Sequence, residues 1–192
     1  MKVRRAQATD APAVHHLVTY YADRGLLLPR TEAEIRAHIS HFLVLVEDEA
    51  LAGCVALAPY GADLAEIRSL AVDPARRGHG LGALLLRAAL DAARRRKIAR
   101  VFAVTHAPEI FGRQGFQATT RFALPEKLAR DCRTCPKQRT CDLVAVIATV
   151  CPARPELAAC PEPAVAGRRA AGRGKRELLP VLSAAPKPLP VA

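Results

Sequence analysis

Up to about Val150 the hydrophobic residues follow two periods in turn, near two and near three to four, which predicts strands and helices in alternation. Lys2 to Ala6 reads as a first strand, and Thr9-Asp10 as the N-cap of a helix running to about Tyr21. Thr31 and Glu34 have the T-x-x-E spacing of a capping box and open a second helix, expected to end near Ser40. Phe42 to Val46 and Leu51 to Tyr60 flank the acidic turn Glu47-Asp48-Glu49, the pattern of an antiparallel hairpin. Glu66 to Val72 is the next strand. Leu81 to Arg96 carries leucines and alanines on one side and basic residues late, which suits the negative end of a helix dipole. Arg100 to Thr105 is again a strand, Pro108 to Gln114 a short helix stopped by Gly115, Phe116 to Phe122 extended, and Leu143 to Val150 a final strand. Such an order favours an α/β domain over an all-α or all-β one.

The pattern then stops. From Pro152 to Ala192 the chain is Pro, Ala, Gly and Arg with no sustained period, which predicts a domain over residues 1–151 and a disordered tail over 152–192. The basic stretch Arg168 to Arg176 reads as part of a solvated tail. A chain of 192 residues with 51% hydrophobic and 24% charged positions has the means to bury one core, which excludes collagen, coiled coil and disorder throughout. The longest uncharged apolar runs, Leu51 to Ala62 and Leu143 to Ala153, fall short of the roughly 20 residues that cross a bilayer. Met1 to Pro12 has no apolar stretch of a secretory signal, so a cytoplasmic protein is expected.

Charge narrows the choice of ligand only a little. The net charge of +11 is diffuse and suits polyanions, including a phosphorylated cosubstrate. Aromatic residues at 4%, with no Trp, speak against a single-stranded nucleic-acid binder, which stacks bases on rings. Membrane and nucleic acid are therefore set aside as partners, and a small molecule is expected, with a homodimer left open. Six cysteines in a cytoplasmic chain read as thiols or metal ligands rather than a disulfide framework.

The informative stretch is Ala65 to Gly82: a strand, a basic Gly-rich turn, then a long helix. Gly78, Gly80 and Gly82 let the backbone approach a ligand, and N–H groups at a helix start point towards negative charge. Arg76 and Arg77 add positive side chains. The spacing is neither that of a P-loop nor that of a dinucleotide fold, which disfavours ATP and NAD.

Arg77-Gly78-His79-Gly80-Leu81-Gly82 resembles the [Q/R]-x-x-G-x-[G/A] motif of the GNAT family of acetyl-CoA-dependent N-acetyltransferases, and Arg113 to Phe116 is similar to that family's K-x-G-F segment. The resemblance covers about Lys2 to Val150. It implies a central mixed, mostly antiparallel sheet of about seven strands flanked by helices, and acetyl-CoA as cosubstrate. It also implies that Arg77, Gly78, His79, Gly80, Leu81 and Gly82 hold the pyrophosphate, while Leu70, Ala71 and Val72 pair with the pantetheine arm and polarise the thioester. A narrower resemblance joins Ala22 to Arg30, Ala65 to Leu70, Val101 to Thr105, Pro108 to Phe111, Leu124 to Lys127 and Asp131-Cys132-x-x-Cys135 to the short single-domain bacterial N-acetylglutamate synthases. That implies acetyl transfer to the α-amine of glutamate, the first step of arginine biosynthesis.

Glutamate brings two carboxylates, and arginine grips a carboxylate bidentately. Arg30 and Arg68 are the first substrate-binding candidates, followed by Arg24 and Lys127. The acceptor amine must lose a proton before attack, for which Glu66, early in the central strand, and His106, at the end of the next, are the candidate bases. His15, His16, His38 and His41 are not expected in catalysis. In the short helix where many GNAT relatives carry a Tyr acid, Phe111 stands instead, leaving Tyr20, Tyr21, Tyr60 or no side chain as the proton donor. Cys132, Cys135 and Cys141, in the segment 131–141, have a spacing that could serve zinc, although the basic residues between Arg130 and Arg139 equally suit redox-responsive thiolates. Cys54 reads as core. Two alternatives remain beside the glutamate reading: a GNAT enzyme for another amine, such as a different amino acid, a protein N-terminus or a polyamine, and a non-catalytic CoA-sensing module.

Overall fold

Strand β1 (Lys2–Arg5) runs antiparallel to β2 (Phe42–Glu47), which turns back into β3 (Ala50–Pro59) through Asp48 and Glu49. Both turn residues are left-handed, at φ 48° and 65°, the pair of conformations whose twist suits a two-residue hairpin. The computed structural model describes residues 1–135 and 138–151, and the expected tail lies outside the described residues. With β4 (Leu64–Val72), β5 (Arg100–Thr105), β6 (Gln117–Thr119) and β7 (Val144–Thr149), the strands form one seven-stranded sheet in the order β1-β2-β3-β4-β5-β7-β6. Every pairing is antiparallel except β4 with β5. The mixed, mostly antiparallel sheet implied by the family resemblance is thus the one observed.

Helices cover both faces. On one side α1 (Ala11–Ala22) and α2 (Glu32–Ala37) bring Val14, Val18 and Ile35 onto Phe42, Val44 and Cys54. On the other, α3 (Leu81–Arg95) and α4 (Pro108–Gly112) bring Leu85, Leu86, Ala89 and Phe111 onto Leu43, Leu45, Leu57 and Val101. Because β2 and β3 are covered on both faces, their sequences read as unbroken apolar runs rather than alternation. The long helix α3 lies close to the sheet at Gly53, where an added Cβ would stand 2.8 Å from the Ala71 carbonyl oxygen and 2.9 Å from Leu85 Cδ1.

Three local expectations are corrected. Asp10 does not cap α1 with its side chain, because its carboxylate is taken by Arg4, at 2.7 and 2.9 Å, and by the Gln7 N–H at 2.6 Å. Helix α2 ends at Ala37, not near Ser40; His38 leaves helical geometry and a 3₁₀ turn, Ile39–His41, redirects the chain into β2. The extended run expected to Phe122 stops at Thr119, and a 3₁₀ turn, Arg121–Ala123, delivers the buried Leu124 to a small cluster with Tyr60, Leu64, Phe102 and Ala145. After Leu124 come α5 (Pro125–Lys127) and a single π turn, Leu128–Cys132. No helix among the described residues is long and apolar enough to cross a membrane.

Candidate active site

The centre of the sheet is split. β4 pairs with β5 only where Leu64, Ala65 and Glu66 face Arg100, Val101 and Phe102, so beyond Glu66 the β5-facing edge of β4 has no ladder partner. The cause lies on the other edge. Between Cys54, which faces Ala71, and Ala56, which faces Arg68, the β3–β4 register slips, and Ser69 sits at φ 51°. A bulge of this kind bends its strand and re-aims side chains, and bulges concentrate next to active sites. Leu70, Ala71 and Val72 lie on the far side of it, along the opened edge.

At the end of that edge the chain enters the Gly-rich turn. Asp73 accepts the Ala75 N–H at 3.0 Å and starts a 3₁₀ turn, Pro74–Arg76. Gly78 and Gly80 follow in left-handed conformations, φ 82° and 74°, with Gly80 as the N-cap of α3, and Cβ atoms added to either would meet nothing within 4 Å. Arg77 to Gly80 are exposed. An open, left-handed turn leading into the N-terminus of a 15-residue helix has the donors and the dipole for an anionic group such as a pyrophosphate. The two arginines of the turn are used differently. Arg76 is tied to Glu47 of the hairpin and lies 3.7 Å from Asp73, so it straps the turn to the sheet. Arg77 donates through Nε to the Tyr21 hydroxyl at 2.9 Å, and that hydroxyl donates to the Val72 carbonyl at 2.5 Å.

On the α1–α2 face, beside the split, lies a cavity of about 320 Å³ bordered by Arg30, Glu34, His38, His41, Arg68 and Arg130 among others. Its floor is a knot of charges. Arg68 Nη2 donates to Glu66 Oε2, to the Tyr60 hydroxyl at 2.6 Å and towards Asp131 Oδ2 at 3.3 Å. Lys127 Nζ lies 2.8 Å from Glu66 Oε1 and 2.7 Å from Asp131 Oδ2. The Tyr60 hydroxyl stands 2.5 Å from Asp131 Oδ2 and 2.9 Å from Glu66 Oε2, with one proton to give. Arg130 stacks on Tyr60, its guanidinium carbon 3.3 Å from the ring centroid, and donates to the Pro59 carbonyl at 2.8 Å.

Burial and the neighbouring charges oppose one another at Asp131 and Arg68. Burial presses Asp131 towards its neutral form, but hydrogen bonds from Lys127 and Tyr60 and the Lys127 and Arg68 charges more than offset it and hold the carboxyl well below the usual range. Burial likewise works against the Arg68 cation, while Glu66, Tyr60 and Asp131 keep it charged. The Tyr60 phenol is pushed up by burial and then by the Glu66 charge, so it remains a donor. His41 is lowered by burial, then by His38 and the nearby arginines, which favours its neutral form.

Of the residues singled out in the sequence, Arg30, Arg68, Lys127 and Glu66 meet at or directly behind this cavity. Arg24 does not: it folds back over Tyr20, 3.6 Å from the ring centroid, and donates to the Tyr20 carbonyl at 2.8 Å. His106 stands apart at the end of β5, 3.7 Å from Asp142. His38 and His41, set aside in the sequence, border the cavity with rings 5.6 Å apart. Tyr60 was offered only as one of three tyrosines for the proton donor, Asp131 only as part of the Asp131-Cys132-x-x-Cys135 resemblance, and Arg130 was given no site role. Phe111 is core, edge-on to Phe116, so α4 presents no acid at its aromatic position. The zinc expectation at Cys132, Cys135 and Cys141 is corrected: among the described residues no three His, Cys, Asp or Glu side chains come together as a metal site. These three cysteines and the buried Cys54 are free thiols, whereas Cys151 is disulfide-bonded, contrary to the reading of all six as thiols or ligands.

The model of the acetyltransferase (GNAT) family matches residues 6–116. An uncharacterised N-acetyltransferase of Chlorobaculum tepidum is 36% identical over 148 residues, 77% of this chain and 96% of that protein. An amino-acid acetyltransferase of Mycobacterium tuberculosis is 38% identical over 117 residues, 59% of this chain and 67% of that one. Among solved structures, the N-acetylglutamate synthase of Neisseria gonorrhoeae, with coenzyme A and N-acetyl-glutamate, superposes at a TM-score of 0.71 and 33% identity. The match covers 77% of this chain, which spans about a third (34%) of that synthase.

Proposed function

The chain belongs to the acetyltransferase (GNAT) family, an enzyme family, and from that premise we propose that it transfers the acetyl group of acetyl-CoA to the α-amine of L-glutamate, as in the first step of arginine biosynthesis. The observation that carries the acceptor is the cavity: Arg30, Arg68 and Arg130 border it, with Lys127 behind them, next to the opened edge of β4. Four cations against Glu34, Glu66 and Asp131 leave one positive charge unmatched, which suits an amino acid carrying net negative charge. A polyamine finds the opposite field.

In this reading acetyl-CoA lays its pyrophosphate on the turn from Arg77 to Gly82 and its pantetheine arm along Leu70, Ala71 and Val72. The thioester then lies near the bulge, where backbone N–H groups stabilise the tetrahedral oxyanion by a few kcal/mol per donor. Arg30 and Arg130 take one acceptor carboxylate, and Arg68 with Lys127 the other. Glu66 takes the amine proton, directly or through a water. In the free protein its oxygens are engaged by Tyr60, Arg68 and Lys127. An acceptor carboxylate that draws Arg68 and Lys127 towards itself frees the Glu66 oxygens to receive the amine proton. His106 remains the other candidate base, acting from the end of β5.

CoA release, followed by thiol colorimetry with glutamate, glutamine, other amino acids, spermidine and a peptide as acceptors, tests the reading. Glutamate is expected to be the best acceptor, with Arg30→Ala raising its KM roughly tenfold or more, the loss of a charge-assisted contact, and Glu66→Gln lowering kcat by about 10²–10⁴. Release with another amine and none with glutamate overturns the substrate.

A further inference from the structure

Asp131 is bound in a way that Glu66 is not. Both carboxylates share Arg68, Lys127 and Tyr60, but the Glu66 side chain is 4% exposed on a central strand while that of Asp131 is 28% exposed and borders the cavity. Asp131 hangs from the π turn Leu128–Cys132, outside the sheet ladder, where the backbone is not tied to neighbouring strands. One anion of the knot is therefore fixed and the other is carried on a short irregular segment.

Arg68 supplies the second observation. Its Nε is, among the described residues, the one buried side-chain nitrogen or oxygen with no hydrogen-bond partner. Nε and Nη2 form the side edge of the guanidinium, the edge that accepts a carboxylate through two parallel bonds. At present Nη2 alone serves Glu66, Tyr60 and Asp131. The edge is half used, and a buried donor left unpaired is costly. Since Nε is out of reach of solvent, a ligand must displace what covers that edge to satisfy it.

Resting on the acceptor reading above, we propose that Asp131 is a built-in stand-in for the acceptor's carboxylate, which an arriving carboxylate replaces on the Nε/Nη2 edge of Arg68 and on Lys127. In the free protein Asp131 supplies the second negative charge for two partly buried cations that would otherwise share Glu66 alone. When the acceptor binds, its carboxylate gains the bidentate contact that Asp131 does not make, and the π turn moves aside. Asp131 is a positioning residue that sets acceptor affinity, and its removal strengthens binding rather than weakening it.

The test is calorimetric titration of glutarate, a dicarboxylate without an amine, into the full chain and its Asp131→Asn variant, alongside glutamate kinetics and thermal unfolding. The expected result is fivefold or more tighter glutarate binding in Asp131→Asn, with a lower KM for glutamate and no gain in kcat. Unchanged or weaker binding in a variant that unfolds at the same temperature as the native chain overturns the proposal, since a purely structural or ammonium-binding role predicts that. Should Asp131→Asn not fold, iodoacetamide labelling of Cys132 in the native chain takes its place: labelling several-fold faster with glutarate supports the displacement, and an unchanged or slower rate overturns it. Glutarate binding that tightens in the variant without any glutamate-dependent CoA release sinks the glutamate reading alone. Glutamate turnover with an unaltered KM in Asp131→Asn sinks this proposal alone.

Discussion

Tyr60 shows how much one residue's neighbours decide about it. It is 8% exposed, its ring packs edge-on against Phe102 with centroids 5.2 Å apart, and its hydroxyl is within hydrogen-bond reach of Glu66, Arg68 and Asp131. Tyr60→Phe keeps the ring and removes the donor that Asp131 and Glu66 share, so a loss of about 1–2 kcal/mol is expected in denaturant unfolding. An unchanged midpoint would mean that the two cations alone satisfy both carboxylates. From the sequence, Tyr60 was one of three tyrosines offered as proton donor; its partners Glu66 and Arg68 are six and eight positions along, but the third, Asp131, is 71 positions away and is brought to it only by the fold. Arg30, Arg68 and Lys127 were chosen because a dicarboxylate acceptor asks for cations, and the structure places them at or directly behind one cavity. Arg24, chosen on the same ground, is instead spent on the ring and carbonyl of Tyr20, a local alternative that only coordinates reveal.

At the level of elements, Gly53 on β3 is a point where α3 and the sheet leave no room for a side chain. A methyl group there meets the Ala71 carbonyl and Leu85 Cδ1 below 3 Å, and the carbonyl belongs to the strand that opens the cleft. Gly53→Ala should therefore cost about 1–3 kcal/mol of stability, the usual cost of overpacking, and should weaken acetyl-CoA binding because β4 must shift. Thermal unfolding and a CoA titration read the two effects, and a variant as stable as the native chain would show that the sheet yields freely at that point. Nearly every strand and helix was legible as a type of element, because each is amphipathic or doubly buried in a regular period. The misplaced ends were those settled by partners elsewhere. Asp10 was drawn from capping by Arg4, and α2 was cut short at Ala37 by the turn into β2. The bulge at Ser69 left no mark in the apolar pattern, since buried and partly buried positions continue on both sides of it.

For the whole molecule, pH makes a sharp expectation. The carboxyls of Asp10, Glu34 and Asp131 are held below their usual values, chiefly by Arg4 for Asp10, by the Thr31 N–H for Glu34, and at Asp131 by Lys127, Tyr60 and Arg68 against an opposing burial effect. A carboxyl whose folded pKa is depressed gives stability that is complete above its unfolded value, near 4, and is lost as pH falls through the folded value. The His41 shift is also downward, caused first by burial; a histidine favoured neutral in the fold costs stability once the unfolded chain binds its proton, below about pH 6.5. The melting temperature should thus slope gently downward below about pH 6.5 and steeply below about pH 4, with His41→Gln flattening the first limb and Asp10→Asn the second. Melting curves that coincide for native chain and variants across this range would reject both assignments.

What the sequence determined by itself was everything written in local chemistry: the order of strands and helices, the Gly-rich turn from Arg77 to Gly82 and the choice of Arg30, Arg68 and Lys127 as cations for a carboxylate. Periodicity, capping and left-handed glycines act over a few residues, so they can be read along a line. The tertiary structure alone decided where the sheet splits, which cations converge, and that Asp131 and Tyr60 close the knot around Glu66. Those facts depend on register and on residues brought together from β3, β4 and the turn after α5, and a Coulomb attraction is indifferent to how far apart its partners lie in the chain.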